Sequence, residues 1–155
     1  MTMEELYPAG ERIALGSHRF GDEEIIRFAS LYDPQPFHMD AEAARHSLFG
    51  GLCASGWHTC AAWMRSFVDH HAAEVARLTR EGVAPPKIGP SPGFKNLQWL
   101  RPVFAGDTVR FFATFTDARP LASRPGWRLL GMLNEGENQD GQPVIRFEST
   151  VLEFE

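Results

Sequence analysis

The chain has 155 residues, of which 43% are hydrophobic, 12% aromatic and 23% charged, with a formal net charge of −5. That composition excludes a disordered chain, which needs low hydrophobicity and high net charge. It also disfavours a protein that wraps nucleic acid, which carries a basic surface. A single domain over residues 1–155 is expected, since one domain usually runs roughly 100–200 residues.

Residues 12–20 alternate loosely and read as a short strand, ended by Gly21-Asp22. Asp22-Glu23-Glu24 is an N-cap followed by acidic first-turn residues, which suit the helix dipole. The helix over residues 23–31 carries an apolar stripe of Ile25, Ile26, Phe28, Ala29 and Leu31. It must stop at Asp33-Pro34, because proline disfavours helical geometry in the residue before it. Asp33-Pro34-Gln35-Pro36-Phe37-His38 then reads as a stiff irregular connector. Asp40 caps a short helix to Arg45, and Phe49-Gly50-Gly51-Leu52 is a turn.

The longest helical pattern covers residues 55–80, starting at Ser55 or Gly56. Trp57, Cys60, Ala61, Met64, Phe67, Val68, His71, Val75 and Leu78 recur at helical spacing and predict its buried stripe. Residues 83–93 are rich in proline and glycine and form a crossing loop. Strand patterns follow at 94–100, 108–116, 127–133 and 144–154, separated by turns at 105–107, 117–125 and 134–141. Successive hairpins imply an antiparallel meander. Strand 108–116 places Phe112 opposite Val109, Phe111 and Phe115, so the second apolar face needs a partner surface.

Two segments carry candidate chemistry. Asp33 and His38 project from a proline-stiffened connector, and a carboxylate beside an imidazole is general acid–base equipment near neutral pH. On the residues alone the signal is weak, and the pair reads more simply as a helix-ending aspartate and a hydrogen-bonded loop histidine. Phe49-Gly50-Gly51-Leu52-Cys53-Ala54-Ser55-Gly56 brings glycines to a helix start, where free amides can face an anion or a developing oxyanion. The same glycines also suit a tight turn and close helix packing. No Gly-Lys-Ser/Thr follows, so this is not a phosphate-binding P-loop.

Together these segments resemble the MaoC-like dehydratases, relatives of the (R)-specific enoyl-CoA hydratases. The resemblance rests on Asp33-Pro34-Gln35-Pro36-Phe37-His38-Met39-Asp40, Ala43-Ala44, Phe49-Gly50-Gly51, Ala54-Ser55-Gly56 and Arg101-Pro102-Val103-Phe104-Ala105-Gly106-Asp107-Thr108. It implies an α+β hotdog fold, an antiparallel sheet wrapped around one long central helix. It implies Asp33 and His38 as the catalytic pair, holding a water that adds across the 2,3 double bond of an enoyl thioester, with Asp33 as base. It assigns the oxyanion-binding amide to Gly56. Gln35 stands where the family usually has Asn, and Ser55 where many members have His. Phe37, Ser55 and Trp57 are expected to contact substrate, with Lys87, Lys95 and Arg101 as partners for CoA phosphates.

Acyl-CoA or an acyl-carrier thioester is the expected partner, with a homodimer or higher even oligomer as the assembly. No cofactor is expected beyond the thioester itself. Absence of HExxH, and the adjacency of His70 and His71, predict no metal. His58 reads as structural, and Trp57, Trp63, Trp99 and Trp127 as core or interface anchors. Cys53 and Cys60 lack any zinc or redox spacing and read as small buried thiols. No apolar run approaches the ~18 residues of a membrane span. The opening Met1-Thr2-Met3-Glu4-Glu5 lacks the regions of a signal peptide, so a cytoplasmic location is expected. The rival readings are a hotdog thioesterase and a non-catalytic acyl-CoA-binding subunit.

Overall fold

A computed structural model describes residues 1–154. Its elements in chain order are α1 (Met3–Leu6), β1 (Arg12–Arg19), α2 (Asp22–Tyr32), α3 (Pro36–Met39), α4 (Ala41–Arg45), α5 (Gly56–Arg80), β2 (Lys87–Ile88), β3 (Gly93–Trp99), β4 (Thr108–Pro120), β5 (Trp127–Glu137) and β6 (Pro143–Phe154). The strands form one curled antiparallel sheet in the order β1-β4-β5-β6-β2, with β3 also pairing β6. The helix α5 lies against it, and the arrangement is the hotdog fold. No helix among the described residues is long and apolar enough to cross a membrane.

The meander is real for β4, β5 and β6, which pair successively. The strand β3 departs from it. It pairs with β6 rather than with β4, so the chain crosses the sheet between Trp99 and Thr108. The strands β4 and β5 also run further than their apolar patterns suggest, to Pro120 and Glu137. Ladder pairing carries the polar residues Asp117, Arg119, Asn134 and Glu135 along as strand. The proline-rich loop contains β2, a two-residue strand against the end of β6.

The core is an aromatic and aliphatic cluster that includes Phe20, Ile25, Trp63, Phe67, Val109, Phe111, Phe115, Leu130, Ile145 and Phe147. Phe111 is fully buried, and such burial contributes ~1.5–3 kcal/mol for one side chain. The buried face of α5 is His58, Thr59, Ala62, Trp63, Phe67 and Leu78. This corrects the expected stripe. Trp57, Met64 and Val68 stand about half exposed. Phe67 and Leu78 of the expected stripe are buried, but the spacing pattern mixed them with outer residues and left Trp63 off the stripe. Phe112 needs no partner chain, because the Arg12 guanidinium lies 3.7 Å from its ring centroid. Apolar surface is left uncovered on α5, around β3, where Phe94, Trp99 and Leu100 are exposed, and at Leu31, Tyr32 and Leu48.

The segment from α2 to α5 sits over one end of the sheet. Gly21 rather than Asp22 is the N-cap of α2, so Asp22 joins the helix as its first residue. Phe37 and His38 form a single helical turn in α3, started by Pro36 at its first position, rather than an irregular connector. Asp40 caps α4 by accepting from the Ala43 amide at 2.8 Å. Residues 52–54 then run beside residues 103–105, joined by Ala54 N–H to Val103 O at 2.8 Å and Ala105 N–H to Leu52 O at 3.0 Å. That pairing fixes the strand-like entry into α5.

Candidate functional site

Asp33 is the C-cap of α2, and its amide still donates to Ala29 O at 2.8 Å. Pro34 and the turn of α3 then bring the chain back, so His38 faces the aspartate. His38 Nε2 lies 3.3 Å from Asp33 Oδ2. The other ring nitrogen, Nδ1, is 2.6 Å from Cys53 O. A carbonyl only accepts, so Nδ1 carries a proton and donates it. That contact fixes the ring's orientation and leaves Nε2 as the atom that exchanges protons. His38 is buried, with its imidazole edge-on to Phe37 at 4.6 Å between centroids. Phe37 meets Phe49 in turn at 5.1 Å, which seats α3 against the turn before α5.

Asp33 has two further donors. Ser55 Oγ donates to Oδ2 at 2.7 Å, and Gln35 Nε2 donates to Oδ1 at 2.7 Å. Burial pushes the Asp33 carboxyl up, but the two hydrogen bonds and the adjacent His38 outweigh it and hold the group below its ordinary value. Asp33 is therefore an ionised, oriented carboxylate at neutral pH. Ser55 is fully buried and is the N-cap of α5, yet it makes no side-chain cap bond to the helix. Its hydroxyl serves Asp33 instead. Both departures from the expected motif, Gln35 and Ser55, thus meet on the same carboxylate.

Gly56 and Trp57 open α5, and their N–H groups have no carbonyl one turn back within the helix to accept them. These oriented donors start beside Ser55. The absence of a side chain at Gly56 has a second cause: a Cβ there would overlap the Trp99 indole. Trp99 lies flat over the start of the helix and meets Trp57 edge-on at 5.2 Å. Cys53 is buried, and burial together with the Asp33 charge pushes its thiol up to about 11. A neutral thiol is no nucleophile.

The structure brings Asp33, His38, Phe37, Ser55 and Gly56 together, with Trp57 at the rim. It does not bring Lys87 or Lys95 to them. Lys87 lines a cavity with Met1, Thr2, Arg128 and Glu153. Lys95 lines a groove over the sheet with Asp117, Arg119 and Glu148. Arg101 follows Trp99 by two residues, is exposed, and donates to Pro143 O at 3.1 Å. Sequence reasoning missed Trp99 as a neighbour of the site, since β3 reaches it only by crossing the sheet. It also passed over Gln35 as a direct ligand of Asp33. Gln35 sits two residues beyond, a spacing at which a side chain can fold back onto a turn residue.

A hotdog with an aspartate facing a histidine ahead of its long helix defines the class of fold in which comparison with known proteins places the chain. The chain belongs to the MaoC-like domain family, whose model matches residues 9–125. It is 36% identical to a MaoC-like dehydratase from Rhodospirillum rubrum, with a TM-score of 0.80 over 99% of this chain and 97% of that one. An (R)-hydratase from A. caviae shares the fold at 23% identity and a TM-score of 0.60, over 92% of this chain and 94% of that one. A curated relative, the uncharacterized protein YdeM of Bacillus subtilis (strain 168), is 26% identical over 98% of both chains.

Proposed function

We propose that this protein is a hydratase or dehydratase that adds water reversibly across the 2,3 double bond of an enoyl thioester. The observation that carries the reading is the Asp33–His38 pair, in which a base held ionised faces an imidazole oriented through its far nitrogen. Membership of the MaoC-like family and a structural neighbour named as an (R)-hydratase support the same reaction class.

In this reading a water lies beside the pair and bridges Asp33 Oδ2 and His38 Nε2 from the substrate side. Asp33 takes a proton from it as the water oxygen bonds to C3. The double-bond electron pair moves toward C2 and onto the thioester oxygen. The Gly56 N–H stabilises that oxygen, a role worth ~2.7–4 kcal/mol for one such donor elsewhere. Asp33 passes the proton it took to His38 Nε2, which delivers it to C2 and leaves both groups as they began. The water's hydroxyl ends on C3 and its hydrogen, by this relay, on C2. Ser55 and Gln35 hold the carboxylate in line throughout. Phe37 and Trp57 flank the acyl group. Arg101, beside Trp99, is the best-placed of the three cations to meet CoA phosphates, since Lys87 and Lys95 face other surfaces of this chain.

The reaction needs no cofactor other than the thioester carrier. A homodimer covers the half-exposed Trp57, Met64 and Val68 of α5 together with Phe94, Trp99 and Leu100, an apolar surface larger than single exposed residues would form. Light scattering at micromolar concentration is expected to report twice the chain mass, and a monomer would refute this assembly.

The function is tested by following crotonyl-CoA and longer enoyl-CoA thioesters in two channels. Loss of enoyl absorbance without thiol release supports hydration. Thiol release without hydration would instead make the protein a thioesterase, and binding without turnover would make it a binding subunit.

A further inference from the structure

A second set of chemistry-bearing side chains lies at the same end of the sheet and takes no part in the reaction above. His18 of β1, Glu24 of α2 and His58 of α5 converge from three separate elements. His18 Nε2 is 2.5 Å and His58 Nε2 2.9 Å from the same atom, Glu24 Oε1. All three ligand atoms lie within 4.8 Å of one another. Phe28 stacks on His58 at 4.6 Å between centroids, while Phe20 stands edge-on to His58 at 4.9 Å and to His18 at 4.8 Å. The polar cluster is thus held in an aromatic surround that limits how its rings can turn.

We propose that His18, Glu24 and His58 form a binding site for a divalent transition-metal cation of the zinc class. Two imidazole nitrogens and one carboxylate oxygen are a donor set that zinc takes with a fourth position left to solvent. Bonds of ~2.0–2.2 Å in a tetrahedron place ligand atoms roughly 3.3 Å apart. The Nε2 atoms therefore need to back away from Oε1 by less than about 1 Å to admit the ion, within the reach of side-chain rotation. Metal ligands bind in their deprotonated forms, as neutral imidazole nitrogens and a carboxylate oxygen.

The site's place in the fold gives it a consequence. Glu24 lies on the helix that ends at Asp33, and His58 lies two residues beyond Gly56. A cation shared by β1, α2 and α5 cross-links the two helices whose ends carry Asp33 and Ser55. It acts as a clamp on the acid–base site, not as a reactant in it. Sequence spacing gave no sign of it, because residues 18, 24 and 58 make no contiguous metal motif.

The full chain, stripped with chelator, is titrated with Co²⁺ and then Zn²⁺. The visible absorption of four-coordinate Co²⁺ is expected to saturate at one ion per chain and to vanish as Zn²⁺ displaces it. At a hundredfold excess over Kd, Zn²⁺ is expected to raise Tm by roughly 5–10 °C. His18 is partly exposed, so His18→Ala leaves the core intact, and Glu24→Gln keeps the shape of its side chain. Each is expected to weaken Zn²⁺ binding by at least 100-fold. No saturable signal up to millimolar ion would overturn the site. So would equal Co²⁺ spectra and Tm shifts in wild type and both variants, which would place the ion elsewhere on the chain.

Discussion

Asp33 with His38, and Glu24 with His18 and His58, are both carboxylate–imidazole clusters at the start of α5. They differ in what holds each partner from behind. In the first, the imidazole's far nitrogen donates to the Cys53 carbonyl, and the carboxylate is steadied by Ser55 and Gln35. The facing atoms stay 3.3 Å apart, and Nε2 is the imidazole nitrogen left without a backbone partner. In the second, two imidazoles crowd one carboxylate oxygen, and His58 Nδ1 is buried without a partner among the described residues. The same residue types are backed by a carbonyl and two side-chain donors in one place and by an unpartnered ring nitrogen in the other, and the proposed roles rest on that difference in the surrounding hydrogen bonds.

The comparison is broken most severely at His38. His38→Gln is expected to lower kcat for hydration by about 10²–10⁴, the range of one general acid–base group. Far-UV circular dichroism should be unchanged, and an effect below tenfold would equate the two clusters. Ser55→Ala comes next. Hydrogen bonds to charged groups contribute ~1.5–3 kcal/mol, so a loss of roughly 10- to 100-fold is expected. A hydrogen bond to the ionised form lowers a pKa, so its removal raises that of Asp33. The acid limb of the pH–rate profile should therefore move to higher pH, which a purely structural role for Ser55 would not produce.

Gly56→Ala places a methyl into the Trp99 indole, an overpacking that costs about 1–3 kcal/mol in thermal or denaturant unfolding. Gly56→Ala/Trp99→Ala should recover most of that loss, and failure to do so would show that the glycine serves the backbone alone. Gln35→Ala is expected to have the smallest kinetic effect, a few-fold, because its bond to Asp33 is exposed. It should shift the acid limb in the same direction as Ser55→Ala.

The second cluster is probed by acid. His58 has a depressed pKa in the fold against an ordinary value of 6.5, so the unfolded chain takes up more protons as pH falls through that value. Stability is then expected to fall from about pH 6.5 downward. Glu24, also depressed, contributes stability that is present above its ordinary value of 4.5 and lost as pH drops through its lower folded pKa. Tm measured downward from pH 8 to pH 3 should begin to decline near pH 6.5 and decline further below pH 4.5. A flat profile between pH 7 and pH 5 would remove His58 from the account.

Much of this was legible in the residues. The extent of α5, the Asp40 cap and the strand of residues 12–19 follow from periodicity and capping chemistry. Asp33 and His38 were singled out by the family resemblance, and Pro34 and Pro36 between them confine the chain to few paths. What the residues hid was tertiary. The buried face of α5 was only partly placed: Phe67 and Leu78 are buried, but Trp57, Met64 and Val68 are as apolar as Ala62 and Trp63, and only the sheet's position separates the two sets. The neighbours of Gly56 were hidden because Trp99 arrives from a strand that pairs across the sheet with β6. Lys87 and Lys95 looked close to the site in sequence, but β2 and β3 carry them to other surfaces.

The central claim is that Asp33 is the base that activates water for an enoyl thioester. Its most direct test is the rate of enoyl absorbance loss from crotonyl-CoA, or from the longest enoyl-CoA turned over, by wild type and Asp33→Asn at equal folded concentration. The account predicts a fall of about 10³-fold or more with Tm changed by only a few degrees. Equal rates in the two proteins would contradict it.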